Sequence, residues 1–250
     1  MISVKNINKH FGDNHVLKDV SFEFESGKTN LIIGESGSGK TTLLKVMIGL
    51  HESNSGEVDY DDRNFTGMNF NQRKMLRKEI GMLFQGGALF DYMNVEENII
   101  FPLKMFAEQS EEENLERANF CLKRVNLENT NLLLPSELSG GMKKRVAIAR
   151  AIAMNPKYLL CDEPNSGLDP KTAILIDNLI QEITQEYNIT TIVNSHDMNS
   201  VMEIGDKIAF IYQGEVWWTG NKDELIRSEN QELKDFVFAS KLFKRLRQTS

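Results

Sequence analysis

Cysteine is scarce in this chain. Of 250 residues only two are cysteines, Cys121 and Cys161, far apart and in no metal-ligand spacing. That excludes a disulfide framework and points to a reducing compartment. Long apolar runs are missing too. None approaches the ~20 residues that a bilayer-crossing helix needs, so in a membrane role another chain has to supply the span. The opening residues, Met1 to Lys9, lack a leader pattern, and no signal peptide is expected. There is no basic excess: 29 Lys and Arg face 36 Asp and Glu, for a net charge of -7. A general nucleic-acid binder would show the opposite balance, although a local basic patch stays open. No internal repeat or low-complexity segment is visible.

What is there is an ordinary globular composition, 40% hydrophobic and 26% charged. The length fits one large domain or two small ones with a sizeable core. Residues 1 to 30 read as short strands, with Val20, Phe22 and Phe24 alternating against polar neighbours. Leu31 to Ile33 forms an apolar strand that runs into a glycine-rich loop. Lys40 to Leu50 follows as a helix with Leu43, Leu44, Met47 and Ile48 on one face.

The middle is helical. Ser110 and Glu113 make a capping box, with Leu115, Ala118, Leu122 and Val125 at helical spacing behind it. Glu128 to Pro135 reads as a linker. Gly141 to Ala153 reads as a helix stopped before Pro156. A second strand and helix cycle starts at Tyr158 to Cys161. Asp169 is placed to cap a helix that begins at Pro170, with Leu175, Leu179 and Ile183 as its buried face. Ile189 to Val193 is strand-like, and Lys207 to Tyr212 and Glu215 to Thr219 flank a hairpin turn at Gln213-Gly214. Alternating strands and helices imply a mostly parallel sheet covered on both faces.

The strongest chemical signal is Gly34-Glu35-Ser36-Gly37-Ser38-Gly39-Lys40-Thr41, a phosphate-binding loop pattern between a strand and a helix. Glycines let successive backbone N–H groups converge on phosphate, and the helix turns its positive end to the same anion. Lys40 reaches the β- and γ-phosphates, and Thr41 coordinates magnesium. Alone, the loop says only nucleoside triphosphate. Asp162 and Glu163 end the strand from Tyr158. The first carboxylate can hold magnesium and the second can orient or deprotonate water. Two acids at a loop start are also commonplace. Leu138-Ser139-Gly140-Gly141-Met142 opens a helix and can bind a second anion. It reads equally as a cap before a solvated basic face at Lys143-Lys144-Arg145.

Taken in order, the phosphate loop, Gln85, Leu138 to Gly141, Asp162-Glu163, Ser166 to Asp169 and His196 resemble the ATPase domain of ABC transporters over essentially the whole chain. The resemblance implies a single domain over 1–250. It has a RecA-like P-loop α/β core with an antiparallel β subdomain (about 1–85 and 156–250) and an inserted helical subdomain (about 86–155). It implies ATP and Mg²⁺ as ligands. Phe11 stacks on adenine with Val16 beside it, and Thr42 joins the phosphate loop. Gln85 contacts magnesium and the attacking water, Glu163 is the general base, and His196 holds the γ-phosphate. Ser139, Gly140, Gly141 and Asp169 meet the ATP of a second copy in a head-to-tail sandwich. The partners implied are that second copy and an integral membrane permease at the cytoplasmic face of the bacterial inner membrane. An accessory cytoplasmic subunit is compatible with this.

Phe84 to Asp91, with Asn94-Val95 and Phe101-Pro102-Leu103, resembles the ATPases of Mla-type, Mce-associated phospholipid transporters. That implies a lipid cargo and an Mce-type lipid-binding partner. The alternatives are an ABC ATPase for another substrate or a soluble non-transport ABC ATPase. Asn165 and Ser195 stand where Thr is more usual; neither change removes a catalytic group. The C-terminal Lys241, Lys244, Arg245 and Arg247 alternate with Leu242, Phe243 and Leu246. They form a basic amphipathic tail suited to anionic lipid, a partner or solvent. Trp217 and Trp218 are expected to pack in the hairpin.

Overall fold

The computed structural model describes residues 1–238, so the basic stretch at Lys241 to Arg247 lies outside the described residues. Two sheets carry the fold. The first is antiparallel, in the order β2-β1-β4-β5, from β1 (Ile2–Phe11), β2 (Asn14–Phe24), β4 (Ser55–Tyr60) and β5 (Arg63–Asn64). The second has the order β10-β9-β3-β8-β7-β6. It consists of β3 (Thr29–Ile33), β6 (Ile80–Leu83), β7 (Tyr158–Asp162), β8 (Thr190–Ser195), β9 (Lys207–Tyr212) and β10 (Glu215–Gly220). All its pairings are parallel except the β9–β10 hairpin.

The six-stranded sheet separates two apolar cores, and the period of two in its strands decides which side chain enters which. Leu31, Ile33, Leu159, Cys161, Val193, Ile208 and Phe210 face one core. Ile32, Tyr158, Leu160, Ile192, Ala209 and Ile211 face the other. The second core is closed by α1 (Lys40–Met47) and the antiparallel sheet, through Leu43, Leu44 and Met47 against Val20, Phe22 and Phe24. The first is closed by α3 (Val95–Phe106), α4 (Glu111–Arg124), α5 (Gly140–Ile152), α6 (Pro170–Glu186) and α7 (Met198–Ile204). The strands of this sheet are apolar on both faces because helices or a sheet cover both.

Local signals set the helix starts. Ser110 and Glu113 form the expected capping box on α4, and Asn94 with Glu97 forms another on α3. Asp169 caps α6 by accepting from the Thr172 N–H at 3.0 Å, with Pro170 as the first helical residue. Short helices α2 (Phe70–Arg77), α8 (Lys222–Arg227) and α9 (Gln231–Val237) complete the described chain.

Several expectations are corrected. On α6, Leu175 is 58% exposed; the buried stripe is Ala173, Ile176, Leu179, Ile180 and Ile183. At about 100° per residue, Leu175 falls off the side those residues share. Leu115 is likewise exposed at the edge of α4, and Cys121 joins Ala118 and Leu122 inside. The linker at 128–135 is tied down: Asn131 Nδ2 donates to Glu96 and Asn119. Trp218 packs against the first core, whereas Trp217 is partly exposed and donates to Glu232 at 3.2 Å. Cys121 and Cys161 are free and buried, and burial pushes both thiols up.

Candidate functional site

Four neighbouring strands end together. The carboxyl ends of β3, β7 and β8 lead directly into Gly34, Glu163 and His196, and β6 leads to Gln85. In parallel α/β sheets this edge is where ligands sit, because the loops there rise clear of both helix layers.

The loop from Gly34 to Gly39 depends on its glycines. Gly34, Gly37 and Gly39 have φ of 150°, 82° and 110°. A Cβ on Gly34 would come within 2.3 Å of the Ile211 carbonyl oxygen. Lys40, first residue of α1, is buried, and its Nζ donates to the Gly34 and Glu35 carbonyls at 2.9 and 2.8 Å. Burial pulls its pKa down, opposed by Glu163, Asp162 and Glu35. An ammonium held this way stands at the mouth of a helix N-terminus, ready to trade carbonyls for phosphate oxygens. The Ser38 hydroxyl oxygen is buried and without a hydrogen-bond partner.

Thr41 Oγ1 donates to Asp162 Oδ1 at 2.9 Å, and Asn194 Nδ2 donates to the same oxygen at 3.0 Å. One hydroxyl and one carboxylate held this way form a hard-oxygen pair of the kind magnesium takes beside nucleotide phosphates. Glu163 follows with φ 47°, its N–H fixed on the Asn194 carbonyl at 3.1 Å. Gln85 Nε2 donates to Glu163 Oε2 at 2.9 Å, and His196 Nδ1 lies 3.1 Å from Glu163 Oε1. Glu163 is therefore held from both sides at the wall of the cleft.

That cleft measures about 660 Å³ and is lined by Val16, Glu35, Ser36, Gly37, Gly39, Lys40, Thr41, Thr42, Gln85, Glu163 and His196, with Asp235 and Phe236 from α9. Gly34, Ser38 and Asp162 are not part of this lining, though each adjoins a lining residue in sequence. Phe11 stands outside it, 45% exposed at the tip of β1, with Lys9 over its ring and His51 against its edge.

Ser139, Gly140, Gly141 and Asp169 come together elsewhere. They line a separate cleft of about 580 Å³ with Gly167, Leu168 and Thr172. Ser139 caps α5 by accepting from Met142 N–H at 3.2 Å, and a Cβ on Gly141 would meet Thr172 Cγ2 at 2.6 Å. No residue is shared between the two clefts.

Three contributors escaped the sequence reading. Lys144, which the solvated-face reading of Lys143 to Arg145 puts in water, is buried; its Nζ donates to the Gln85 carbonyl and lies 3.4 Å from that of Glu163. Arg150 holds the Gly87 and Ala88 carbonyls, each at 2.7 Å. Asn194 had only its place in an apolar strand, where a lone amide asks for a partner.

The fold and this site define a P-loop ATPase of the ATP-binding-cassette class. The sequence matches the ABC transporter family over residues 17–166, more than half of the chain, and the chain belongs to that family. It is similar to "Methionine import ATP-binding protein MetN" of Clostridioides difficile, 41% identical over 237 residues, covering 95% of this chain and 74% of that protein. The protein of the same name from Campylobacter jejuni is 40% identical over 253 residues, covering 95% and 75%. Among solved structures, a dimeric ATP-binding cassette in a post-hydrolysis state with ADP and Pi superposes with a TM-score of 0.81. It is 34% identical and covers 88% of this chain and 98% of that one. The chain is thus an ABC ATPase that hydrolyses ATP with magnesium.

Proposed function

We propose that this chain powers a membrane importer by binding ATP between two copies of itself. The observation that carries the reading is the division of the site. Lys40, Thr41, Asp162, Glu163 and His196 gather at one cleft, while Ser139 to Gly141 and Asp169 form another that a single chain cannot bring to the same nucleotide. A second copy turned head to tail completes both. The dimer described for the similar cassette bound to ADP and Pi supports this arrangement.

In this reading the glycine loop and Lys40 hold the β- and γ-phosphates. Thr41 and Asp162, with Gln85 near, would hold magnesium, which when bound would neutralise phosphate charge. Glu163 accepts the proton of the attacking water, with Gln85 and His196 fixing its carboxylate, and His196 also faces the γ-phosphate. Val16 lines the nucleotide wall, and Phe11, exposed at the tip of β1 outside the cleft, is the aromatic face offered to adenine. The division into a core with a β subdomain and a helical subdomain at about 86–155 belongs to the same reading. ATP favours the closed pair and hydrolysis removes that preference, so the chemistry becomes motion in a partner.

Among the described residues no helix is long and apolar enough to cross a membrane, so the chain acts as a peripheral subunit on a permease. A groove of about 450 Å³ lined by Phe84, Phe90, Phe101, Pro102 and Phe106 beside Gln85 supplies an apolar seat for a permease helix. The similar proteins carry methionine import in their names, which favours an importer. The envelope-phospholipid cargo and the Mce-type partner implied by the 84–103 resemblance receive no support from those relatives. The test is capture of the chain from native membranes with its permease, followed by ATP hydrolysis of the reconstituted complex with candidate cargo. Stimulation by methionine or a related small solute supports an importer of that class. A chain that never co-purifies with a membrane protein contradicts the transport reading.

A further inference from the structure

Behind the catalytic cleft lies a buried polar contact that the phosphate chemistry does not use. Asp177 of α6 is 2% exposed, as is Ser200 of α7. Asn165 Nδ2 donates to Asp177 Oδ1 at 2.7 Å and to Ser200 Oγ at 3.0 Å. Ser200 also favours the ionised form of the Asp177 carboxyl. The triangle joins three segments: the loop after β7, the second turn of α6, and the helix that follows β8.

A carboxylate sealed from water is costly even when paired, and apolar residues of similar volume commonly pack as well or better. Burial pushes this carboxyl up to about 6, with Asp197, the N-cap of α7, and Glu203 of α7 adding to the rise. At neutral pH it is ionised and can only accept, which suits the Asn165 amide and the Ser200 hydroxyl. The positions of its partners make the contact more than packing. Asn165 follows closely on Glu163, Ser200 lies one helical turn beyond His196, and Asp177 sits on the helix that Asp169 caps.

We propose that Asp177 is a positioning residue: through Asn165 and Ser200 it ties the loop that carries Glu163 and Asp169 to the helix behind His196. The tie holds the 3.1 Å approach of His196 to Glu163 and fixes it relative to Asp169 at the surface meant for the second copy. Without it, loop and helix move independently, and a small misplacement of a proton acceptor is expensive. The inference rests on the roles given to Glu163 and His196 under the proposed function.

The test compares Asp177→Ala, Asp177→Asn and wild type in the full chain, by ATP turnover and by amide hydrogen exchange. Asp177→Ala should lower kcat about tenfold or more while KM for ATP stays within about twofold. Exchange should speed up together in residues 163–169 and 196–204. Asp177→Asn keeps an acceptor for Asn165 and should recover most of both losses. A folded Asp177→Ala variant with wild-type exchange in 196–204 overturns the proposal, whatever its turnover. If Asp177→Ala fails to fold, Ser200→Ala opens one corner of the triangle with a smaller void, and wild-type exchange in its 163–169 loop is equally decisive against it. Glu163→Gln measured alongside separates the two levels. Retained turnover there sinks the general-base role, while the exchange data still report on the tie.

Discussion

Thr41 and Asp162, which are 121 positions apart in sequence, share a 2.9 Å hydrogen bond from the Thr41 hydroxyl to Asp162 Oδ1. The glycine loop that starts α1 and the acidic end of β7 thus present their oxygens side by side, with Asn194 steadying the carboxylate. Thr41→Ala should leave the fold intact and raise the magnesium concentration for half-maximal ATP hydrolysis by about tenfold, the scale on which a metal site responds to a lost partner. A magnesium titration of turnover checks this; an unchanged half-point would remove Thr41 from the metal site.

Lys40 is buried against the glycine loop, its ammonium bonded to two of the loop's carbonyls. Lys40→Ala should abolish the rise in melting temperature that saturating ATP gives the wild type, since a ligand that no longer binds the native state no longer stabilises it. Thermal unfolding with and without ATP measures it. A rise equal to that of the wild type would show that the phosphates bind elsewhere.

Asp177 makes a pH prediction. Its carboxyl sits at about 6 in the fold, above its ordinary 3.8, so the native state binds this proton more tightly than the unfolded chain. The stabilisation is fully present below about pH 4 and is lost as pH rises through about 6, in all about 3 kcal/mol. Asp177→Asn lacks this titration. Denaturant unfolding at pH 4 and pH 7 should therefore find the variant gaining about 2 kcal/mol on the wild type between the two. A constant difference would contradict the buried ionisation.

Much of this architecture is legible before any coordinates, for reasons that are local. The glycine loop is visible because Gly34, Gly37 and Gly39 adopt backbone angles that other residues resist. Asp169, Pro170, Ser110 and Glu113 announce their helices through short-range capping. What stays hidden is tertiary. Lys144 lies in a run of basic residues that looks solvated, and only the packing of α5 under Gln85 buries it. Asp177 and Ser200 look like polar positions on two helices until the loop at Asn165 closes over them. Leu175 shows the limit of spacing alone, since it matches the helical period yet lies on the solvent side of the stripe. Phe11 can be picked out as an early aromatic, but its exposed place at the tip of β1 depends on the hairpin.

Ser139 lies in its own cleft, away from the phosphate loop of its own chain. Ser139→Arg should keep ATP-dependent thermal stabilisation of each chain while lowering turnover by about a hundredfold or more, because the loss falls on assembly of the composite site rather than on nucleotide capture. Turnover at the wild-type rate would mean that one chain suffices.

The central claim is that ATP is the ligand of an interface between two copies. The most direct measurement is the molar mass of the Glu163→Gln chain in solution with ATP and magnesium, beside the same chain carrying Ser139→Arg as well. The account predicts that Glu163→Gln, which binds ATP but cannot spend it, becomes a dimer on adding ATP, and that the double variant binds ATP and stays monomeric. A Glu163→Gln chain that remains a monomer at saturating ATP, or a double variant that dimerises equally well, would contradict it.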